Sequence, residues 1–196
     1  MKRITASFLS LALVVLGAAF TPPATTYKAD VSESTVTWKG RKVTGSHEGV
    51  VALKSGSLTM DGGVLTGGYF EIDMTSLAVT DLDGKMKGDL EGHLKSDDFF
   101  GVGQFPSALF RITAVASRGT AGEYKITGEA TIKGKTKEIR FLASVNKEGG
   151  TATASITLDR TDYDVRYGSG SFFSNLGDKT IYDEFDLEIT LAIQEG

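Results

Sequence analysis

The chain has 196 residues and no cysteine, three prolines, two histidines and one tryptophan. Without cysteine it has no disulfide and no thiolate, so its stability must come from burial and backbone hydrogen bonds. Two histidines without cysteine match no zinc-ligand spacing. Runs of lysine and arginine are also missing, and the formal charge is −4. An acidic chain without basic clusters is a poor partner for nucleic acid, and nothing supports broad electrostatic adhesion to membranes. No apolar stretch reaches the ~20 residues of a membrane span. Scarce proline beside 24 glycines suits a β protein with many tight turns.

The N-terminus differs from the rest. Lys2 and Arg3 precede an almost wholly apolar segment from Phe8 to Phe20, with small Gly17 and Ala19 ahead of a cut after Ala19. This pattern reads as a secretory signal peptide over residues 1–19. A linker over 20–26 and one domain over 27–196 would follow. Cleavage removes two positive charges and takes the net charge from −4 to −6. The expected product is periplasmic or secreted, with no stable membrane anchor after cleavage.

From Val36 onward, apolar residues alternate with polar ones, the signature of one-sided strands. Val36 and Trp38 alternate with Thr35, Thr37 and Lys39, and His47, Gly49, Val51 and Leu53 oppose Glu48 and Lys54. Ser57 to Met60 reads as a short separate strand before an Asp61-Gly62-Gly63 hairpin turn. Similar runs follow around Phe70, Phe110, Ile126, Phe141, Ile156 and Leu187. Eight strands result, or nine with the short one. So wide a one-faced sheet must fold into a sandwich or close on itself. Long consecutive strands with short turns favour an extended antiparallel β-barrel of about eight strands.

Parity then assigns the interior. Trp38, Val51, Phe70, Ile72, Phe110, Ile112, Ile126, Phe141, Ile156, Leu158, Phe185 and Leu187 fall on the inner face. Gly49, Gly128, Ala114, Ala130, Ala143, Ala152 and Ala154 share it, and such small residues leave room for an elongated apolar ligand. The alternative is a barrel filled by its own aromatics.

One segment breaks the alternation. Leu82, Met86, Leu90 and Leu94 recur every four residues, a helical stripe, with Gly84, Gly88 and Gly92 on the opposite face. Interior glycines weaken a helix, so this insert is expected to hold only by docking its stripe and to act as a lid. Phe99, Phe100 and Phe105 follow and are expected, with Leu94, to line the mouth. His47 and Arg160 are the candidate polar contacts. Arg160, on the inner parity of its strand, would pair with Asp162, Asp164 or a ligand anion. A rival enzymatic reading would combine His47 or His93 with Asp97 or Asp98.

Five segments resemble the YceI-like family: Trp38 to Val50 (WKGRKVTGSHEGV), Gly67 to Leu77 (GGYFEIDMTSL), His93 to Phe100 (HLKSDDFF), Phe105 to Phe110 (FPSALF) and Leu158 to Val165 (LDRTDYDV). The resemblance covers essentially all of the chain after the signal segment, and HLKSDDFF is its most specific part. It implies a lipocalin-like barrel that binds a long isoprenoid, such as a polyprenyl phosphate precursor or a quinone tail. It also implies a periplasmic or secreted, non-enzymatic protein without cofactor, whose relatives take differing long-chain lipids.

Overall fold

The computed structural model describes residues 23–196, so the signal-peptide reading lies outside the described residues. Eight strands pair antiparallel in chain order, and the last closes on the first. They are β1 (Thr25–Lys42), β2 (Gly45–Asp61), β3 (Val64–Val79), β4 (Ser107–Ser117), β5 (Glu123–Ile132), β6 (Lys135–Asn146), β7 (Thr151–Asp159) and β8 (Ile181–Glu195). One helix, α1 (Gly84–Lys95), lies between β3 and β4. The sheet is a closed barrel, not a sandwich.

Two sequence boundaries shift. Ser57 to Met60 continues β2 instead of forming a strand of its own, because the pairing of β2 with β3 runs on to the turn. β1 begins at Thr25, inside the stretch read as linker, because Thr25 pairs with Met60. The β2–β3 turn is the expected one: Gly62 and Gly63 have φ of +55° and +82°, as a two-residue type I′ turn requires.

A β-bulge sits between Ile112 and Ala114 in β4. It reverses the parity downstream, so Ala114 is exposed and Val115 packs inward against the core. Ala114 therefore does not face the interior, as simple alternation predicted. Such bulges add one residue to a strand and cannot be read from hydrophobicity alone.

In this up-and-down topology, four connections gather at one end and three at the other. The three-connection end carries the start of β1 and the end of β8 and is sealed by a cluster that includes Leu58, Met60, Leu65, Tyr124, Val145 and Ile193. Across it the Leu65 N–H donates to the Tyr124 hydroxyl at 3.3 Å. The other end carries the β1–β2 hairpin, α1, the β5–β6 turn and the long β7–β8 connection. A second cluster, with Val36, Val51, Met74, Leu77 and Val102, lies on this side against Leu94 and Phe100. With β1 at 18 residues, a rise of about 3.3 Å and a tilt of about 40° give a barrel roughly 45 Å tall.

Candidate functional site

A cavity of about 480 Å³ occupies the interior and opens at the α1 end. Its wall holds Trp38, Val51, Phe70, Ile72, Phe110, Ile112, Ile126 and Phe141. Ile156, Leu158, Phe185 and Leu187 complete the predicted barrel face. Phe70 and Phe110 stack with centroids 6.5 Å apart, and Phe110 meets Phe141 at 5.4 Å. Ala130, Ala143, Ala152 and Ala154 line the space as expected.

Gly49 and Gly128 do not leave space. A Cβ on Gly49 would stand 2.6 Å from Trp38 Cζ2, and one on Gly128 would stand 2.4 Å from Phe110 Cζ. These glycines are seats for aromatic rings, so ring and glycine together fill one side of the wall.

The roof comes from α1 and the segment after it. Leu90, His93, Leu94, Phe99 and Phe100 line the cavity. Phe99 is buried, and Phe100 meets Phe185 edge-on at 6.5 Å. Phe105 is not part of the lining. It packs on the β5–β6 turn, where a Cβ on Gly134 would lie 2.9 Å from its ring. Met86 departs from the predicted docked stripe and is 66% exposed, and Leu82 precedes the helix. Of the stripe only Leu90 and Leu94, with His93 beside them, carry the inward contact, because a 12-residue helix set across the barrel mouth touches it over its last turns. Glu91 fixes α1 by accepting from the Val79 N–H at 2.8 Å.

The polar groups sort into occupied and free. His47 Nδ1 lies 3.0 Å from Asp81 Oδ2, and Asp81 also accepts from the Glu48 N–H at 3.2 Å. Desolvation raises the Asp81 carboxyl, but these hydrogen bonds outweigh it and the net shift is downward. His93 is set edge-on to Phe99 and Tyr167 at 4.9 and 4.5 Å and stands 3.6 Å from Asp98. Asp97 and Asp98 are exposed, and the Asp97 carbonyl accepts from Lys133 Nζ at 2.8 Å. The pairing of His47 with Asp97 or Asp98 does not occur. Among the described residues no group of three His, Cys, Asp or Glu side chains converges.

Arg160 opens a 3₁₀ turn, Arg160–Tyr163, instead of extending β7. It borders the cavity and is 4% exposed. Its guanidinium donates to the carbonyls of Val165, Ile181 and Tyr182 at 2.7, 3.0 and 3.0 Å, and to Asp183 Oδ1 at 3.3 Å. The expected partners are otherwise engaged, Asp162 with Lys137 and Asp164 with Arg166. Burial lowers the Arg160 pKa and Asp183 opposes it. Arg160 is a clamp tying the end of β7 to the start of β8 and, through Val165, to the connection between them. Next to it the Tyr163 hydroxyl is buried without a partner, and burial, helped by Asp162, pushes its pKa up to about 12.

Sequence reasoning missed the mouth. Arg41, Lys42, Ser46, Tyr167, Tyr182 and Glu184 also border the cavity. Lys42 shares the parity of Trp38 and was legible on that ground. Tyr167 sits in an irregular connection, where period two carries no information.

The model of the YceI-like domain matches residues 27–193. A curated relative from Shewanella denitrificans, a UPF0312 protein, is 31% identical over 94 residues, 48% of this chain and 47% of its own length. One from Pseudomonas putida is 34% identical over 82 residues, 38% of this chain and 42% of its own. The chain thus spans about half the length of the curated relatives it matches. Among solved structures, BcnA of Burkholderia cenocepacia aligns with a TM-score of 0.64 at 23% identity, covering 85% of this chain and 99% of its own. A polyisoprenoid binding domain from Saccharophagus degradans, implicated in plant cell wall breakdown, aligns with a TM-score of 0.58 at 12% identity, covering 87% and 98%. At these identities the likeness is one of fold.

Proposed function

The chain belongs to the YceI-like domain family, and on that premise we propose that it is an exported binding protein for one long apolar chain, an isoprenoid in the first place. The observation that carries this is the cavity, about 480 Å³ of apolar space sealed at one end and open at the other. Its volume falls within the ~300–1,000 Å³ of small-molecule pockets. The height of the barrel favours an elongated molecule over a compact one. The polyisoprenoid named for the Saccharophagus degradans neighbour makes a polyprenyl or quinone tail the first ligand to try.

Burying ten methylene equivalents yields about 8 kcal/mol at ~0.8 kcal/mol each. Association costs subtract from this, so a longer chain or a preformed site is needed for micromolar affinity. Binding without turnover is the reading; the periplasm or the exterior is the proposed location, on the N-terminal sequence.

The test is mass spectrometry of an organic extract of the native protein, with uptake of a polyprenyl alcohol by the delipidated protein. A stoichiometric long-chain lipid is expected. An empty extract together with no uptake would leave a barrel without this function.

A further inference from the structure

Exposed apolar side chains are distributed unevenly over the surface. Val43, Met86, Tyr167, Phe172, Phe173 and Tyr182 all belong to connections or strand ends at the open end of the barrel. Towards the sealed end Val64 lies in the β2–β3 hairpin, and Val31, Tyr69 and Leu142 stand singly on the barrel wall. Single exposed apolar residues are ordinary, but a cluster at one end calls for a partner.

The cluster is built, not frayed. Ser169 is fully buried and bridges to Ile181. Its carbonyl accepts from the N–H groups of both Phe172 and Phe173, at 3.2 and 3.0 Å. That turn presents two rings to solvent, 47% and 50% exposed. The Arg166 guanidinium stacks 4.5 Å from the Phe172 centroid. The Val43 N–H donates to the Thr180 carbonyl at 3.1 Å, which brings the β1–β2 hairpin alongside. Tyr167 and Tyr182 belong to this rim and to the cavity wall alike. The apolar rim is therefore continuous with the cavity.

We propose that this end docks on a phospholipid bilayer, with Phe172 and Phe173 inserted and Tyr167 and Tyr182 at headgroup depth. The inference rests on reading the cavity as a long-chain site. Such a chain dissolves in a bilayer and not in water, so a mouth ringed by aromatics lets it pass between the two without crossing solvent. Phenylalanine inserts below the headgroups, and tyrosine suits the interface because its ring is apolar and its tip polar. Charge is not the attraction. Arg41, Lys42, Arg160, Arg166 and Lys179 around the mouth are offset by Asp164, Asp178, Asp183, Glu184 and Asp186. Docking on neutral lipid, indifferent to salt, follows from that balance.

The experiment is flotation of the protein with phosphatidylcholine vesicles. The protein should float, equally at low and at molar salt. The F172S/F173S double variant should lose about tenfold or more of the bound fraction, while Y69S/L142S, which removes exposed apolar groups from the barrel wall, should not. Absence of flotation, loss of flotation in molar salt, or equal flotation of the two variants would overturn the docking. A solution dimer dissolved by F172S/F173S would name a second copy as the occupant and overturn it too. Uptake of a polyprenyl alcohol from detergent micelles separates the two readings. Loading from micelles without flotation sinks the docking alone. Failure to load strikes the cavity reading, and flotation with its F172S/F173S loss still judges the docking.

Discussion

Trp38 and Gly49 face each other across β1 and β2, and the indole occupies the volume where a Gly49 side chain would be. A Cβ there would also stand 1.9 Å from the Ala78 carbonyl oxygen. The ring can turn aside, but the backbone oxygen cannot, so Gly49→Ala must move β3. Overpacking of this kind costs about 1–3 kcal/mol. A lowered denaturation midpoint with a red-shifted Trp38 emission is the expected result. An unchanged midpoint would show that the strands yield freely.

Arg160 holds three carbonyls and one carboxylate in a buried setting. Arg160→Met keeps the bulk and removes every donor, which leaves the Val165, Ile181 and Tyr182 carbonyls unpaired. Loss of about 3–5 kcal/mol is expected, read by urea unfolding. Arg160→Lys should rescue only part, because one ammonium cannot reproduce the fork. Full rescue by lysine would argue against the clamp.

Ala143 lines the cavity wall. Ala143→Phe should fill part of the space and abolish uptake of a polyprenyl alcohol while keeping the β circular dichroism spectrum. Uptake equal to the parent protein would move the ligand elsewhere.

Stability should fall in acid. The Arg41 guanidinium first, then the Thr157 hydroxyl, hold the Asp186 carboxyl below its usual range. Asp81 and Asp73 are held low as well, Asp73 chiefly by the Thr75 hydroxyl. A lowered folded pKa contributes stability that is complete above the unfolded value of about 4 and is lost as pH falls through the folded value. Unfolding free energy should therefore be level between about pH 7 and 5 and decline below about pH 4. Asp186→Asn should flatten that decline. A slope equal to the parent's would remove Asp186 from the account.

The insert should be the first part to open. No α1 residue is fully buried, and Cβ atoms on Gly88 and Gly92 would meet nothing within 4 Å. Its tethers are Leu90, Leu94 and the Glu91 bond to Val79. Amide exchange from Gly84 to Gly92 should be fast in the delipidated protein and slow after loading. Equal exchange in both states would leave α1 as an inert connection.

Much of this was legible in the linear chain because parity is a local property. Successive side chains in a strand point to opposite faces whatever the strand pairs with. Trp38, Phe70, Ile126, Phe141 and Leu187 therefore declare a common face before any pairing is known. The helical insert announced itself the same way, by a change of period. The YceI-like motifs named the family from the same letters.

Pairing decided the rest. The bulge after Ile112 turned Ala114 outward, and only the register of β4 on β5 shows it. Phe105 lies on the β5–β6 turn, far along the chain. Gly49 and Gly128 read as empty space until neighbouring strands laid Trp38 and Phe110 on them. Arg160 found Asp183, not its neighbours Asp162 and Asp164, because β8 returns beside the end of β7. The aromatic rim joins Val43 to Phe172 and Tyr182 across more than a hundred residues. The physical reason is common to all of these: period fixes which face a side chain takes, while closure of the barrel fixes which distant residue it meets there.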